Sequence, residues 1–151
     1  MGFILRRASA RDADEIANVY SASFRPLTFL PMLYTTDEYR WFIANVILKE
    51  YEVTVAADET GIVAFLALRG EEVRLLYTCP DRIGMGAGTQ LVEAATANGP
   101  GALELWCFQA NACARRFYDA RGFRAIRFTD GADNEERMPD ILSVGTQKVG
   151  N

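Results

Sequence analysis

Hydrophobic positions along this chain switch between a helical and a strand period, and the switches predict its elements. Phe3 to Arg7 reads as a first strand. Ser9 stands three residues before Asp12 in a capping-box pattern, and Ile16, Val19 and Tyr20 then share one side of a helix to about Ser23. Thr35 and Glu38 repeat the box and open a helix to about Glu50. Its apolar positions Tyr39, Phe42, Ile43, Val46 and Ile47 step by threes and fours, as a core-facing stripe requires. Glu52 to Ala57 and Ile62 to Leu68 form a hairpin about the tight turn Asp58 to Gly61. Gly70 and Glu71 turn the chain into a strand from Glu72 to Thr78. A helix over Leu91 to Ala97, a strand over Leu103 to Phe108 and a short helix over Ala112 to Arg121 follow. Gly122 before Phe123 suits a left-handed helix stop. Strands at about Phe123 to Thr129 and Ile141 to Gln147 enclose an acidic loop, Asp130 to Asp140.

Between the first two helices, Arg25 to Tyr34 holds Pro26 and Pro31 yet is rich in Leu27, Phe29, Leu30, Met32 and Leu33. Such a loop is either a connection packed on the core, a substrate-facing lid or a dimer interface, and the pattern leaves these open. No internal repeat, low-complexity tract or domain boundary interrupts the chain. Its 151 residues are expected to form one domain, 1–151, with its own core.

Composition narrows the function. The net charge of −4 argues against a nucleic-acid partner, which calls for a basic face, and is compatible with cationic or amine substrates. No apolar run approaches the ~18 residues of a membrane span, and Arg6 and Arg7 stand too early for a signal peptide, so a cytoplasmic protein is expected. Cys79, Cys107 and Cys113 have no metal-ligand spacing. The chain has no histidine, so neither a zinc site nor a histidine-activated serine or cysteine nucleophile is expected.

The most informative stretch is Arg82-Ile83-Gly84-Met85-Gly86-Ala87-Gly88-Thr89-Gln90. A strand runs into it and a helix leaves it. Glycines bare the backbone N–H groups, and the helix start adds partial positive charge, so the loop reads as a seat for a phosphate or pyrophosphate. A Walker loop would continue Gly-Lys-Ser/Thr, but Thr89 and Gln90 follow Gly88. The dinucleotide fingerprint fits poorly, because position 89 is Thr where its third glycine belongs. Seating the pyrophosphate of coenzyme A is the third use of such a loop.

Three motifs in order resemble the GNAT superfamily of acyl-CoA N-acyltransferases. Leu76-Tyr77-Thr78-Cys79-Pro80 leading to Gly84-Met85-Gly86-Ala87-Gly88 is similar to the family's Leu-Tyr-Val-x-Pro strand end and Arg/Gln-x-x-Gly-x-Gly/Ala loop, with Ile83 where Arg or Gln is usual. Asn111-Ala112-Cys113-Ala114-Arg115-Arg116-Phe117-Tyr118 and Arg121-Gly122-Phe123 resemble Asn-x-x-Ala-x-x-Phe-Tyr-x-x-x-Gly-Phe at every anchor. Leu5-Arg6-Arg7-Ala8 with Asp12, Asp14 and Ile16 adds a weaker third match. The resemblance covers nearly the whole chain. It implies an α/β (α+β) three-layer fold, with a central mixed, mostly antiparallel sheet of about seven strands and about four helices. It also implies acetyl transfer from acetyl-CoA to a primary amine, of a small molecule or of a protein, without a metal.

The same resemblance assigns roles. Ile83, Gly84, Met85, Gly86, Ala87, Gly88 and Thr89 would bind the pyrophosphate, and the backbone at Leu76, Tyr77 and Thr78 the pantetheine arm and thioester carbonyl. Asn111 would cap its helix and reach the cofactor, beside Phe117. Direct transfer needs the amine as its neutral base, against a pKa of about 10.4, and a proton for the leaving thiolate. Tyr118 matches the tyrosine the family sets beside the sulfur, although an aromatic on an amphipathic helix also suits a core. Glu72 is the candidate base, or else part of a solvated turn; Tyr77 is a possible helper. Glu135 and Glu136 are alternative bases or contacts for a cationic substrate. An acyl-cysteine route lacks an activating histidine. Two other functions compete: an acyl-CoA-binding sensor without chemistry and a Rossmann-type nucleotide-binding regulator. Homodimers are frequent among relatives of this kind.

Overall fold

The computed structural model describes residues 2–24, 26–27, 29–31, 33–98 and 101–146. Strand β1, Ile4–Arg7, leads through a 3-10 turn, Ala10–Asp12, into α1, Ala13–Ser23. Asp12 stabilises this junction: its carboxylate accepts the Ser9 backbone N–H at 2.8 Å and both Arg6 guanidinium nitrogens at 2.9 Å.

The second helix, α2, is not uniformly α. It begins as Thr36–Phe42, widens to a π-helical Ile43–Ile47 and closes as Leu48–Glu50. The capping box is in place, with Thr35 Oγ1 accepting the Glu38 N–H at 3.2 Å and Glu38 accepting the Thr35 N–H at 2.8 Å. The apolar spacing predicts only a regular helix; Ile43 and Ile47, at the two ends of the wider turn, are both fully buried.

The remaining elements are β2 (Glu52–Asp58), β3 (Gly61–Arg69), β4 (Glu72–Thr78), α3 (Ala87–Asn98), β5 (Ala102–Phe108), α4 (Ala112–Ala120), β6 (Phe123–Phe128) and β7 (Asp140–Thr146). Helix α3 starts at Ala87, four residues before the expected Leu91, so Gly88 and Thr89 belong to its first turn. Gln147, expected at the end of the last strand, lies outside the described residues.

Seven strands form one sheet in the order β1-β2-β3-β4-β5-β7-β6. Every pairing is antiparallel except β4 with β5. Helices α1 and α2 cover one face, over Ile16, Ile43, Ile47, Val53, Val55 and Phe65. Helices α3 and α4 cover the other, over Leu66, Val73, Leu91, Leu103 and Phe123. A fully buried aliphatic or aromatic side chain contributes roughly 1.5–3 kcal/mol, so both layers are held by the two stripes the sequence displays.

Two irregularities in β4 position the site. The register passes from Leu68 opposite Val73 to Ala67 opposite Leu75, so Arg74 is an extra, bulged residue. The bulge changes the alternation: Val73 and Leu76 join the α3/α4 layer, while Leu75 and Tyr77 join the α1/α2 layer. The parallel pairing of β4 with β5 is confined to Glu72 opposite Glu104, where the Glu104 N–H donates to the Glu71 carbonyl at 2.7 Å. Beyond that vertex the two strands part and open the middle of the sheet.

Candidate active site

The loop after β4 stands at one side of this opening. Pro80–Arg82 make a 3-10 turn, and Arg82 turns away to the β2–β3 hairpin, donating to Asp58 at 3.2 Å and Thr60 at 3.1 Å. Arg82 is therefore a structural tie for the loop. Gly84 and Gly86 have φ of 86° and 98°, and no atom lies within 4 Å of where a Cβ would stand on either. The positive φ requires glycine, and the open space leaves the backbone approachable from outside. Ile83 and Met85 are exposed beside them. The first amides of α3 have no acceptor within the helix, and they meet its positive dipole end there. These residues fit a pyrophosphate.

Gly88 has a different purpose. A Cβ there would come 3.2 Å from Phe117 Cζ, so the bare Gly88 lets α3 and α4 touch. Phe117 is thus the packing partner that fixes the first turn of α3. Arg121, just past α4, stacks its guanidinium 3.7 Å from the Phe117 ring centre and donates to the Phe117 carbonyl at 2.8 Å and to Thr89 Oγ1 at 3.0 Å. This places a cation at the start of α3. No local pattern announces it, because Thr89 and Arg121 are 32 residues apart. Asn111 caps α4, its Oδ1 accepting the Ala114 N–H at 3.1 Å.

The other side of the opening is a cavity of about 1880 Å³. Helices α1 and α2, the segment before α2, β4, β5 and the loop after β6 enclose it. Its wall is a chain of edge-packed rings. Tyr20 lies 4.9 Å from Phe24, 5.1 Å from Tyr39 and 5.1 Å from Tyr77 between ring centres, and Tyr39 lies 5.8 Å from Tyr34. This wall combines residues from four segments and is invisible to local periodicity. Leu30, Pro31 and Leu33 also line it, and Phe29 packs 6.0 Å from Phe108, a lining residue, so this part of the apolar loop faces the cavity. Met32 lies outside the described residues.

The cavity gathers Glu72, Tyr77, Glu135 and Glu136, which the sequence separates by more than sixty positions. The Tyr34 hydroxyl donates to the Glu135 carboxylate and so fastens the acidic loop across the cavity. Glu72 stands at the vertex of the split, 4.0 Å from Arg69. Burial raises the Tyr77 phenol to about 12, with nearby Glu136 adding to the rise against Arg74.

Tyr118 lies behind this cavity, its ring 5.3 Å from Phe117 and 5.4 Å from Phe123. Burial, with smaller effects of Cys107 and Tyr77, holds its phenol above the ordinary value, so it keeps its proton at neutral pH. Burial also raises Cys107 to about 11 and Cys79 above its usual value, so neither is a ready thiolate. Among the described residues no three or more His, Cys, Asp or Glu side chains gather to hold a metal, and no helix is long and apolar enough to cross a membrane.

Comparison with known proteins places the chain in a family. The family model of the acetyltransferase (GNAT) domain matches residues 49–125, about half of the chain. An uncharacterized N-acetyltransferase of Archaeoglobus fulgidus is 27% identical over 135 residues, covering 80% of this chain and 92% of that protein. The apo-form solution structure of YjaB from Escherichia coli superimposes with a TM-score of 0.79 at 26% identity, covering all of both chains. The PaiA N-acetyltransferase of Thermoplasma acidophilum, solved in complex with coenzyme A, shares the fold at a TM-score of 0.72 and 17% identity, over 97% of this chain and all of that one. The chain belongs to the GNAT acetyltransferase family and is an acyltransferase enzyme.

Proposed function

We propose that the protein, acting as one domain over 1–151, transfers the acetyl group of acetyl-CoA directly to a primary amine in a ternary complex. The observation that carries this reading is the split between β4 and β5, which joins a pyrophosphate-fitting loop to a separate acid- and aromatic-lined cavity. Two reactants entering from opposite sides meet in the opening between the parted strands.

The cofactor side uses the backbone of residues 83–89, with Arg121 adding positive charge and Phe117 fixing the turn. The β4 edge at Leu76, Tyr77 and Thr78 pairs with β3 only, which leaves its other edge for the pantetheine amides and the thioester carbonyl. The amine nitrogen attacks the carbonyl carbon and the carbon–sulfur bond breaks. Tyr118 gives its proton to the departing sulfur, and the amine's proton passes through Glu72 or water to restore the phenol. A protonated phenol is the state a donor needs, and burial keeps it so.

Calorimetric titration with acetyl-CoA, with NAD and ATP as controls, tests the cofactor. Micromolar binding with silent controls, followed by thiol release only when an amine is added, is the expected result. Binding without any thiol release would turn the reading to a sensor. No binding would remove it.

A further inference from the structure

The acceptor cavity has a composition that goes beyond a general amine site. One wall is a cluster of rings: Tyr20 meets Phe24, Tyr39 and Tyr77 edge-to-face, Phe24 stacks on Tyr39, and Tyr34 extends the cluster. Its mouth carries carboxylates on two sides. Some are already engaged. Glu38 caps α2, Asp140 bonds the Thr129 hydroxyl and the Asn134 amide, and Glu135 takes the Tyr34 hydroxyl. Glu136 and Asp133 remain to face an incoming group, and Glu72 is held only by its 4.0 Å ion pair with Arg69. Glu136 lines the same cavity as Tyr20, Phe24, Tyr39 and Tyr77. Of the cations on the lining, Arg74 sits 5.7 Å over the Phe42 ring, and Arg127 lies on the far strand β6.

We propose that the acceptor is a cationic amine with an aromatic or bulky apolar body and no carboxylate. This rests on the acyltransferase reading above and names its substrate class. The ring cluster takes the body, through edge contacts and apolar burial. Glu136 and Glu72 take the ammonium, and the carboxylate nearer the reaction centre then receives its proton. A carboxylate on the ligand would stand among Glu72, Asp133, Glu135 and Glu136, where like charges repel it. A compact diamine without an apolar body would leave the rings unfilled.

The chain's two tryptophans, Trp41 and Trp106, both line the cavity, so binding has an intrinsic reporter that does not need turnover. Phenethylamine, phenylalanine and 1,4-diaminobutane are titrated against tryptophan fluorescence and compared as acceptors by thiol release. Phenethylamine is expected to bind and to exceed both others at least tenfold in kcat/KM. Glu136→Gln is expected to raise its KM about tenfold while leaving acetyl-CoA affinity unchanged. Preference for phenylalanine or the diamine, an unaltered KM in Glu136→Gln, or no amine bound by an enzyme that does bind acetyl-CoA would each overturn the substrate class. Absence of acetyl-CoA binding would instead overturn the acyltransferase reading, so the two failures are distinguishable.

Discussion

The guanidinium of Arg121 lies 3.7 Å above the Phe117 ring and donates to Thr89 Oγ1 at 3.0 Å, so one side chain ties the end of α4 to the first turn of α3. The stacking and the two hydrogen bonds fix where its charge sits. In the proposed complex that charge faces a pyrophosphate. Arg121→Gln keeps a donor for Thr89 but removes the charge. Acetyl-CoA affinity is expected to fall roughly tenfold, about 1.4 kcal/mol, and to depend less on salt. Titration at two ionic strengths measures both. An unchanged affinity and salt slope would leave Arg121 a purely structural clamp.

Gly86 permits a direct test of the phosphate seat. Its φ of 98° makes any side chain costly, by about 1–2 kcal/mol, although open space surrounds the site. Gly86→Ala measures that backbone cost alone. Gly86→Glu adds bulk and negative charge where the pyrophosphate is proposed to sit. Acetyl-CoA binding is expected to survive in part in the alanine variant and to vanish in the glutamate variant. Equal affinities in the two would place the pyrophosphate elsewhere.

Much of this architecture is legible along the chain. Ile16, Val19 and Tyr20, or Ile43 and Ile47, announce buried helix faces because a helix repeats locally, and both capping boxes stand where Ser9 and Thr35 put them. The glycine loop is legible because positive φ at Gly84 and Gly86 restricts the residue type. What local patterns do not carry is the meeting of distant segments. The bulge at Arg74 redirects Leu75 and Tyr77 to the cavity side, yet β4 reads as an ordinary apolar run. The Tyr34–Glu135 bond spans 101 residues, and Arg121 acquires its place only when α3 and α4 pack through Gly88.

Asp12 links acid stability to the cavity wall, because it anchors the start of α1. Its Arg6 bidentate pair and the Ser9 N–H lower its pKa to about 2, against burial, from the usual value near 3.8. A depressed carboxyl pKa stabilises the folded state fully above the unfolded value, and that contribution is lost as pH falls from about 4 to about 2. Asp12→Asn is expected to cost about 1–2 kcal/mol at pH 7, allowing for the half-exposed Arg6, and progressively less below pH 4. Urea unfolding at pH 7 and pH 3 measures the gap. A gap that does not narrow at pH 3 would locate the cost in packing and not in charge.

Tyr118 carries the proposed proton donation, and its packing separates that role from a structural one. The ring stands against Phe117 and Phe123, and Tyr118→Phe keeps both contacts, so the thermal midpoint is expected to change little. The loss falls on the thiolate, which then departs without a proton. A positioned acid contributes about 10²–10⁴-fold, so kcat is expected to fall at least a hundredfold with acetyl-CoA affinity within about twofold of wild type. Burial holds the phenol above its ordinary value of about 10, so the wild-type enzyme is expected to show no alkaline loss of kcat from Tyr118 between pH 6 and 9. Steady-state rates of both proteins across that range test the two statements together. Full turnover in Tyr118→Phe would assign the proton to water, and the ring would remain as packing between Phe117 and Phe123.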